Sequence, residues 1–309
     1  MGGGWLGGGW QGGGWQGGGW QGGGWQGGPG GGGDGTFAMR TDRPLVSKTT
    51  DPTYAATAFP PHAWDGDLHA LAILPDFFRA TVAGQNWQAF ITVPPPPVVR
   101  PAGYAGPLGP NDDQIDDLRM LAVTERPEAM GEILNQHQNQ QLCFMNLLMM
   151  TQNSHPATFF AMKLAARIGE VVMIRLKRQF NRPRPSQYCP TLYPPLNVPG
   201  HASYPAGHAV IAHLTARVLI DATTKPLTGS PYEKSLLALA DEIGFNRVLA
   251  GLHFRSDIKA GAAAGDRTHD FLKGMVVPPP PAPLPPAPTP PPPAIDYATV
   301  IAAAQGEWA

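Results

Sequence analysis

The feature that most constrains the fold is a helical apolar pattern that runs from residue 111 to residue 273 of this 309-residue chain. Apolar side chains recur there at the three- and four-residue spacing of helices, and no alternating strand pattern of any length appears. The stretch is long enough to enclose one hydrophobic core. It therefore predicts an all-α helical bundle. The predicted helices are one capped by Asn111, Asp112 and Asp113 that continues through Leu121, four near 127–150, 156–180, 231–250 and 256–273, and one that follows Ser203.

The N-terminal part of the chain differs in character from this bundle. In residues 1–36 a Gly-Gly-Gly-Trp unit recurs with a five-residue period that fits neither helix nor strand. We predict a disordered, flexible tail, although its spaced indoles could instead stack on partners, and Met39 could be the true start. Residues 37–110 are predicted to form an irregular, proline-rich arm against the main domain, with one short helix near 66–80.

The C-terminal part is also of low complexity. The predicted helical domain covers 111–275, and a proline-rich tail covers 276–309. The proline run is typical of polyproline II, which serves either as a spacer or as a ligand for an aromatic-lined module. A marginal helix is predicted over 294–309. Partners of either tail stay open.

Charge and cysteine content exclude several classes of protein. The net charge of −1 gives no general attraction to nucleic acid or to anionic membranes. Cys143 and Cys189 form neither a disulfide framework nor a zinc-binding spacing. No apolar run approaches the roughly 20 residues of a membrane span, and no secretory signal is visible. We expect a soluble protein without a membrane span or nucleic-acid partner, and its localisation stays open.

The stretch from Ser203 to Ala209, Ser-Tyr-Pro-Ala-Gly-His-Ala, is typical of a helix start. The free backbone N–H groups of Ala206, Gly207 and His208 would point outward and could bind phosphate or a similar anion. His208 would be placed to give a proton to an atom that leaves this anion. The alternative is an ordinary helix start with a surface histidine.

Two further blocks carry charged residues. Lys177 lies in a last helical turn, and the proline-rich loop after it could bring Arg184 back to the same point, where its planar guanidinium could bind two oxygens of a tetrahedral anion. In the block from Arg247 to Asp257, Arg247 and His253 could reach one ligand only if the helix breaks between them, and Gly251 is the candidate for that break. Asp257 could orient the ring of His253. A solvated basic helix end and two buried structural histidines are the alternatives.

Taken together, the three blocks resemble the signature of the type 2 phosphatidic acid phosphatase superfamily, which includes bacterial acid phosphatases and vanadium-dependent haloperoxidases. In the first block, six residues separate Lys177 from Arg184-Pro185. The second block is Pro205-Ala206-Gly207-His208. In the third, five residues separate Arg247 from His253, and three separate His253 from Asp257. At the motif level the resemblance covers about 175–260. It implies the helical bundle of that superfamily.

The resemblance also implies roles for the site residues. Lys177, Arg184, Arg247 and the Gly207 N–H would bind the oxyanion. His253 would attack phosphorus, Asp257 would orient His253, and His208 would protonate the leaving alkoxide. We call these oxyanion-binding residues, together with His208 and His253, the cage. In the haloperoxidase branch, vanadate would occupy the same cage with His253 as its ligand, whereas a phosphatase would need no cofactor.

Two positions depart from the family pattern, and a third bears on the choice of branch, since both activities use the same anion-binding residues. Ala206 and Asn246 replace two serines of the family pattern, and the hydroxyl donor missing at Ala206 predicts a weakened site. His201 resembles an arrangement in algal bromoperoxidases, or is simply a loop histidine. We expect a phosphoric monoester hydrolase that acts through a phosphohistidine on a small soluble substrate. The alternatives are a haloperoxidase that uses vanadate, halide and peroxide, and a weakened anion-binding scaffold.

Overall fold

The computed structural model describes residues 65–97, 114–278 and 296–308, and these residues are mainly helical. Strand in this part of the chain is limited to one short antiparallel hairpin, β1 Thr81–Val82 and β2 Gln85–Asn86. The predicted all-α fold class is confirmed. The helices are α1 Gly66–Arg79, α2 Trp87–Phe90, α3 Gln114–Thr124, α4 Arg126–Leu147, α5 Pro156–Phe180, α6 Pro185–Tyr188, α7 Gly207–Thr223, α8 Glu233–Leu249, α9 Arg255–Gly274 and α10 Tyr297–Gln305, with a 3-10 turn at Pro190–Leu192.

Helix α7 lies at the centre and packs against α5, α8 and α9. Nearly all of its residues from Ala209 to Leu219 are buried, which explains its apolar sequence. Two glycines bring α9 directly onto its backbone: a Cβ on Gly261 would lie 2.6 Å from the Ala206 carbonyl oxygen, and one on Gly265 would lie 2.7 Å from that of Val210. This close packing fixes the start of α7 relative to α9.

The helix break predicted at Gly251 is present. Helix α8 ends at Leu249 and α9 begins at Arg255, and Gly251 between them has a φ of +73°. The buried side chain of Arg126 holds this turn, because its Nε donates to the Leu249 carbonyl at 2.6 Å and its Nη1 to the Leu192 carbonyl at 3.0 Å. The turn redirects the chain so that residues on either side of it face one point.

Residues from both flanks join the core. The helix predicted near 66–80 is confirmed as α1, capped by the Asp65 carboxylate, and it packs on α5. Helix α10 packs on α5 and α7, where the Tyr297 hydroxyl donates to Asp221 at 2.8 Å. Glu307 accepts from the backbone N–H of Ala157 at 2.7 Å, at the start of α5. The predicted domain boundaries themselves stay predictions.

Some predictions fall outside the described residues. These concern the Gly/Trp repeat, the start at Met39, most of the arm, the proline run and the predicted caps Asn111, Asp112 and Asp113. The described part of α3 begins at Gln114.

Candidate active site

One cavity of about 80 Å³ opens between α4, α5 and the start of α7. This volume is several times the roughly 10–15 Å³ that one water occupies on the same measure. Its walls contain six of the residues singled out in the sequence: Arg184, His201, Gly207, His208, Arg247 and His253. Residues far apart along the chain thus share one pocket.

His253 and Asp257 form a buried pair at the base of this cavity. His253 Nδ1 lies 3.2 Å from Asp257 Oδ2, and the two side chains are 5% and 0% exposed. On the other side of the ring, Nε2 lies 3.1 Å from Arg184 Nη1. A guanidinium can only donate, so Nε2 carries the lone pair and Nδ1 carries the proton. The pair therefore presents an unprotonated nitrogen to the cavity.

Two further side chains fix the Asp257 carboxylate. Arg182 Nη1 donates to Oδ1 at 2.5 Å, and Ser203 Oγ donates to Oδ2 at 2.5 Å. The backbone N–H of Phe254 also donates to Oδ2, at 3.0 Å. Burial raises the pKa of Asp257, but the His253, Arg182 and Ser203 contacts lower it more, to about 2. The carboxylate is thus ionised and has little freedom to rotate.

Arg184 spans the loop that precedes α7. Its Nε donates to the His201 carbonyl at 3.1 Å, its Nη1 to the Leu252 carbonyl at 3.0 Å, and its Nη2 lies 3.0 Å from His201 Nδ1. Burial lowers its pKa to about 10, although the charge of Asp257 opposes this. The guanidinium stays charged at neutral pH and is held rigidly beside His253.

Arg247 is fully buried, yet most of its hydrogen-bonding capacity is unused. Its Nη2 donates to the Ile133 carbonyl at 2.9 Å. Its Nε and Nη1 have no hydrogen-bond partner among the described residues. Burial lowers its pKa to about 10. A buried guanidinium with two unfilled donors is costly unless an anion completes it.

Lys177 lies behind the other cage residues and does not line the cavity. Its Nζ donates to the carbonyl oxygens of Ala202 and Ser203 at 2.8 and 2.9 Å. Burial and then Arg184 lower its pKa well below the usual value, while Asp257 opposes them. Two of its three N–H donors hold the loop before α7, so its contact with an oxyanion stays a prediction.

His208 lies in the first turn of α7, next to Gly207, and its neighbours keep it neutral. Burial first, and then Arg247, His137 and His253, hold the pKa of His208 well below its ordinary value. The rings of His137 and His208 are nearly parallel, with centroids 6.3 Å apart. Gly207 itself packs against Met173, since a Cβ there would lie 3.1 Å from the Met173 sulfur.

His201, Ala206 and Asn246 take different places in the structure. His201 lines the cavity, and burial together with Lys177 and Arg184 lowers its pKa to about 4. Ala206 is buried as the N-cap of α7, and its N–H donates to the Asp257 carbonyl at 2.9 Å. Asn246 donates to Gln136 Oε1 at 2.9 Å and so joins α8 to α4. Only His201 of these three faces the pocket.

The sequence patterns did not point to Arg182, Ser203 or His137. Arg182 and Ser203 lie inside or beside the predicted blocks, but no spacing rule distinguishes them from their neighbours. His137 comes from α4, which lies far from the blocks in sequence. Its neighbour Asn139 has non-helical angles (φ −156°, ψ 87°) and interrupts α4 there. A polar Gln/His/Asn run inside an otherwise apolar helix was the available signal.

No helix formed by the described residues combines the length and the apolar character needed to cross a membrane. Comparison with known proteins relates part of the chain to one family and to solved structures. Residues 157–268 match the model of the PAP2 superfamily. A crystal structure described as the first transmembrane PAP2 type phosphatidylglycerolphosphate phosphatase from Bacillus subtilis is 20% identical, with a TM-score of 0.41, over 53% of this chain and 84% of that one. No curated protein matched the chain.

Proposed function

Because residues 157–268 of this chain form a PAP2 superfamily domain, we propose that the protein is a phosphoric monoester hydrolase that acts through a phosphohistidine at His253. The domain supports a phosphatase-type hydrolase. The phosphohistidine and a small soluble substrate are the finer parts of this proposal.

The buried guanidinium of Arg247 is the observation that carries it. Two of its nitrogens, Nε and Nη1, are buried without a partner in the described structure, at a cavity that also contains His253 and Arg184. A phosphoryl group brings oxygens that can accept from both donors in charge-assisted hydrogen bonds. This supports our proposal that a phosphoryl group binds at Arg247 and that His253, which lines the same cavity, attacks it.

His253 supplies the nucleophile. Asp257 holds Nδ1 protonated, which leaves the lone pair of Nε2 directed into the cavity. In this structure Arg184 Nη1 donates a hydrogen bond to this lone pair, with 3.1 Å between Nη1 and Nε2. When phosphate binds, its oxygens compete for the same guanidinium, so that Nε2 is released to form the N–P bond as the P–O bond to the leaving group breaks.

His208 is the proposed proton donor to the leaving alkoxide. Burial first, and then the cationic neighbours, keep the pKa of His208 low. A phosphate dianion reverses the sign of the local charge and raises that pKa, so substrate binding takes up the proton that the alkoxide needs. In the second half-reaction the neutral ring accepts a proton from the water that attacks the phosphohistidine.

The cage should be weaker than that of a site with serine at position 206. Ala206 has no hydroxyl to donate, and one hydrogen bond to a charged group is worth roughly 1.5–3 kcal/mol. The Gly207 N–H at the start of α7 stays available to an oxyanion. We therefore expect slow turnover with weak affinity.

Phosphate release from p-nitrophenyl phosphate tests the proposal. We expect turnover by the intact chain, its loss in His253→Ala, and a large drop in Arg247→Met. Arg178→Met is the matched control, because Arg178 is an exposed cation next to Lys177. Trapping by rapid quench should place the phosphoryl group on His253. Undiminished turnover by His253→Ala would refute the mechanism.

Vanadate-dependent haloperoxidase is the second candidate, and His201 at the cavity beside Arg184 favours it. The unfilled Arg247 donors and the His253 lone pair fit vanadate as well as phosphate. When bound, vanadate would supply the activation of peroxide for halide oxidation. Bromination of a dye only after addition of orthovanadate, without phosphatase activity, would favour this candidate. Neither activity would indicate a binding scaffold.

A further inference from the structure

The cavity continues past the cage along two walls. Helix α5 contributes Lys163, Arg167 and Glu170, and α1 contributes Asp67. Glu170 precedes Met173, the residue that abuts Gly207, by three positions. At 1.5 Å per helical residue, the three α5 side chains extend from about 5 Å to about 15 Å beyond the level of Gly207. These side chains line the part of the cavity beyond Gly207, which we take as the space for a leaving group.

The charges on this wall are balanced. Lys163 Nζ lies 3.1 Å from Asp67 Oδ2, Arg167 Nη2 lies 3.0 Å from Asp67 Oδ1, and Arg167 Nη1 lies 2.9 Å from Glu170 Oε2. Burial raises the pKa of Glu170 to about 7 against the opposing charge of Arg167, so the balance is complete above neutral pH. Two cations facing two carboxylates give no net attraction for a second anion. An acyl chain laid over them would desolvate four charged groups without replacing their water.

The opposite wall is the interrupted part of α4. Besides Gln136 and His137, it brings Asn139, Gln140 and Gln141 to the cavity. Gln140 Oε1 and His137 Nδ1 are buried, and neither has a hydrogen-bond partner within the described structure. An amide oxygen can only accept, so a ligand that satisfies Gln140 must bring a donor such as a hydroxyl.

We infer that this outer part of the cavity is a leaving-group subsite for a neutral, polyhydroxylated alcohol, so that the preferred substrate is a sugar or polyol phosphomonoester. The inference rests on the proposed phosphatase activity. Hydroxyl groups can donate to Gln140, exchange hydrogen bonds with His137, and replace water at the charged α5 wall. An alkyl chain can do none of these.

A pair of six-carbon substrates isolates this subsite. Glucose 6-phosphate and hexyl phosphate both carry a primary phosphomonoester, but only the sugar carries hydroxyls. We expect kcat/KM at pH 8 to favour glucose 6-phosphate by at least about 10-fold, and Gln140→Met or His137→Phe to remove about 2- to 12-fold of that preference. Asn135→Met, an exposed change on the same helix, should retain it.

A binding experiment separates this inference from the proposed function. Calorimetric affinities of the two esters for the His253→Ala variant need no turnover, so they test the subsite even if p-nitrophenyl phosphate is not hydrolysed. Tighter binding of glucose 6-phosphate, reduced in His253→Ala/Gln140→Met, supports the inference. Equal or tighter binding of hexyl phosphate would overturn it, as would a preference that neither wall variant changes.

Discussion

Replacing Arg182 by methionine should both destabilise the fold and damage the site, although Arg182 does not line the cavity. Arg182 and Asp257 form an ion pair with side chains only 4% and 0% exposed. Methionine fills similar volume but leaves the Asp257 carboxylate without its cation. Breaking a buried pair from one side costs about 3–5 kcal/mol, because the remaining charge stays buried. For a domain of about 150–250 residues that corresponds to a fall in Tm of roughly 6–20 °C.

The chain offers a matched control in the pair Arg255–Asp117, whose arginine is the first residue of α9. Its Nε–Oδ2 distance of 2.6 Å is similar to the 2.5 Å between Arg182 and Asp257, but the Arg255 and Asp117 side chains are 46% and 24% exposed. An exposed pair of this kind contributes about 0–1 kcal/mol. Arg255→Met should therefore change the free energy of unfolding little, whereas Arg182→Met should change it by several times more.

Urea unfolding at pH 7.5 measures both effects, and phosphate release measures the consequence for His253. The pH dependence adds a second check. The pKa of Asp257 is about 2 in the fold, against about 3.9 for an unfolded chain. The stabilisation of the fold by the ionised Asp257 carboxylate is thus complete above about pH 4 and is lost as the pH falls towards 2. Equal losses in the two variants, or a loss at Arg182 below about 1 kcal/mol, would refute this account.

Three further outcomes are expected. Ala206→Ser should restore a donor to the anion and tighten phosphate or vanadate binding, measured by calorimetry; an unchanged Kd would show that the position is silent. Gly251→Ala should lower the free energy of unfolding by about 1–3 kcal/mol because of the positive φ, and by a further amount because the added Cβ would lie 2.9 Å from Arg126 Nη2. Gly229 is the control, since it has a φ of +70° but no atom within 4 Å of an added Cβ. Gly229→Ala should therefore show only the backbone strain when both variants are unfolded in urea. The two cage histidines, His208 and His253, have lowered pKa values in the fold. The free energy of unfolding should therefore decline as the pH falls below about 6.5, because the unfolded chain takes up protons there. A flat profile from pH 7.5 to 5.5 would contradict this.

The sequence was sufficient where a local rule fixes the geometry. Helical periodicity predicted the bundle, because each helix buries one broad apolar face. Gly251 predicted the break between Arg247 and His253, because a positive φ there favours glycine. The convergence of the cage residues followed from a resemblance to a family.

The sequence was insufficient where contacts depend on packing between distant helices. Arg182 looks like any basic residue near a helix end until α9 places Asp257 beside it. His137 enters the site only because α4 is interrupted at Asn139 and packs on α8. Lys177 was predicted from its charge to face the anion, yet its ammonium first binds two backbone carbonyls. No single-chain pattern encodes these long-range choices.

The energetic arrangement of the cage is itself an argument for anion binding. Lys177, Arg184 and Arg247 are each at most 2% exposed, and burial lowers the pKa of all three. A fold selected only for stability would not bury like charges together, because apolar side chains of similar volume are usually no worse. The charge of Asp257 opposes the lowering of the Lys177 and Arg184 pKa values, but this carboxylate is already paired with Arg182. This surplus of buried positive charge supports the proposed anion site, because a tetrahedral dianion would neutralise it.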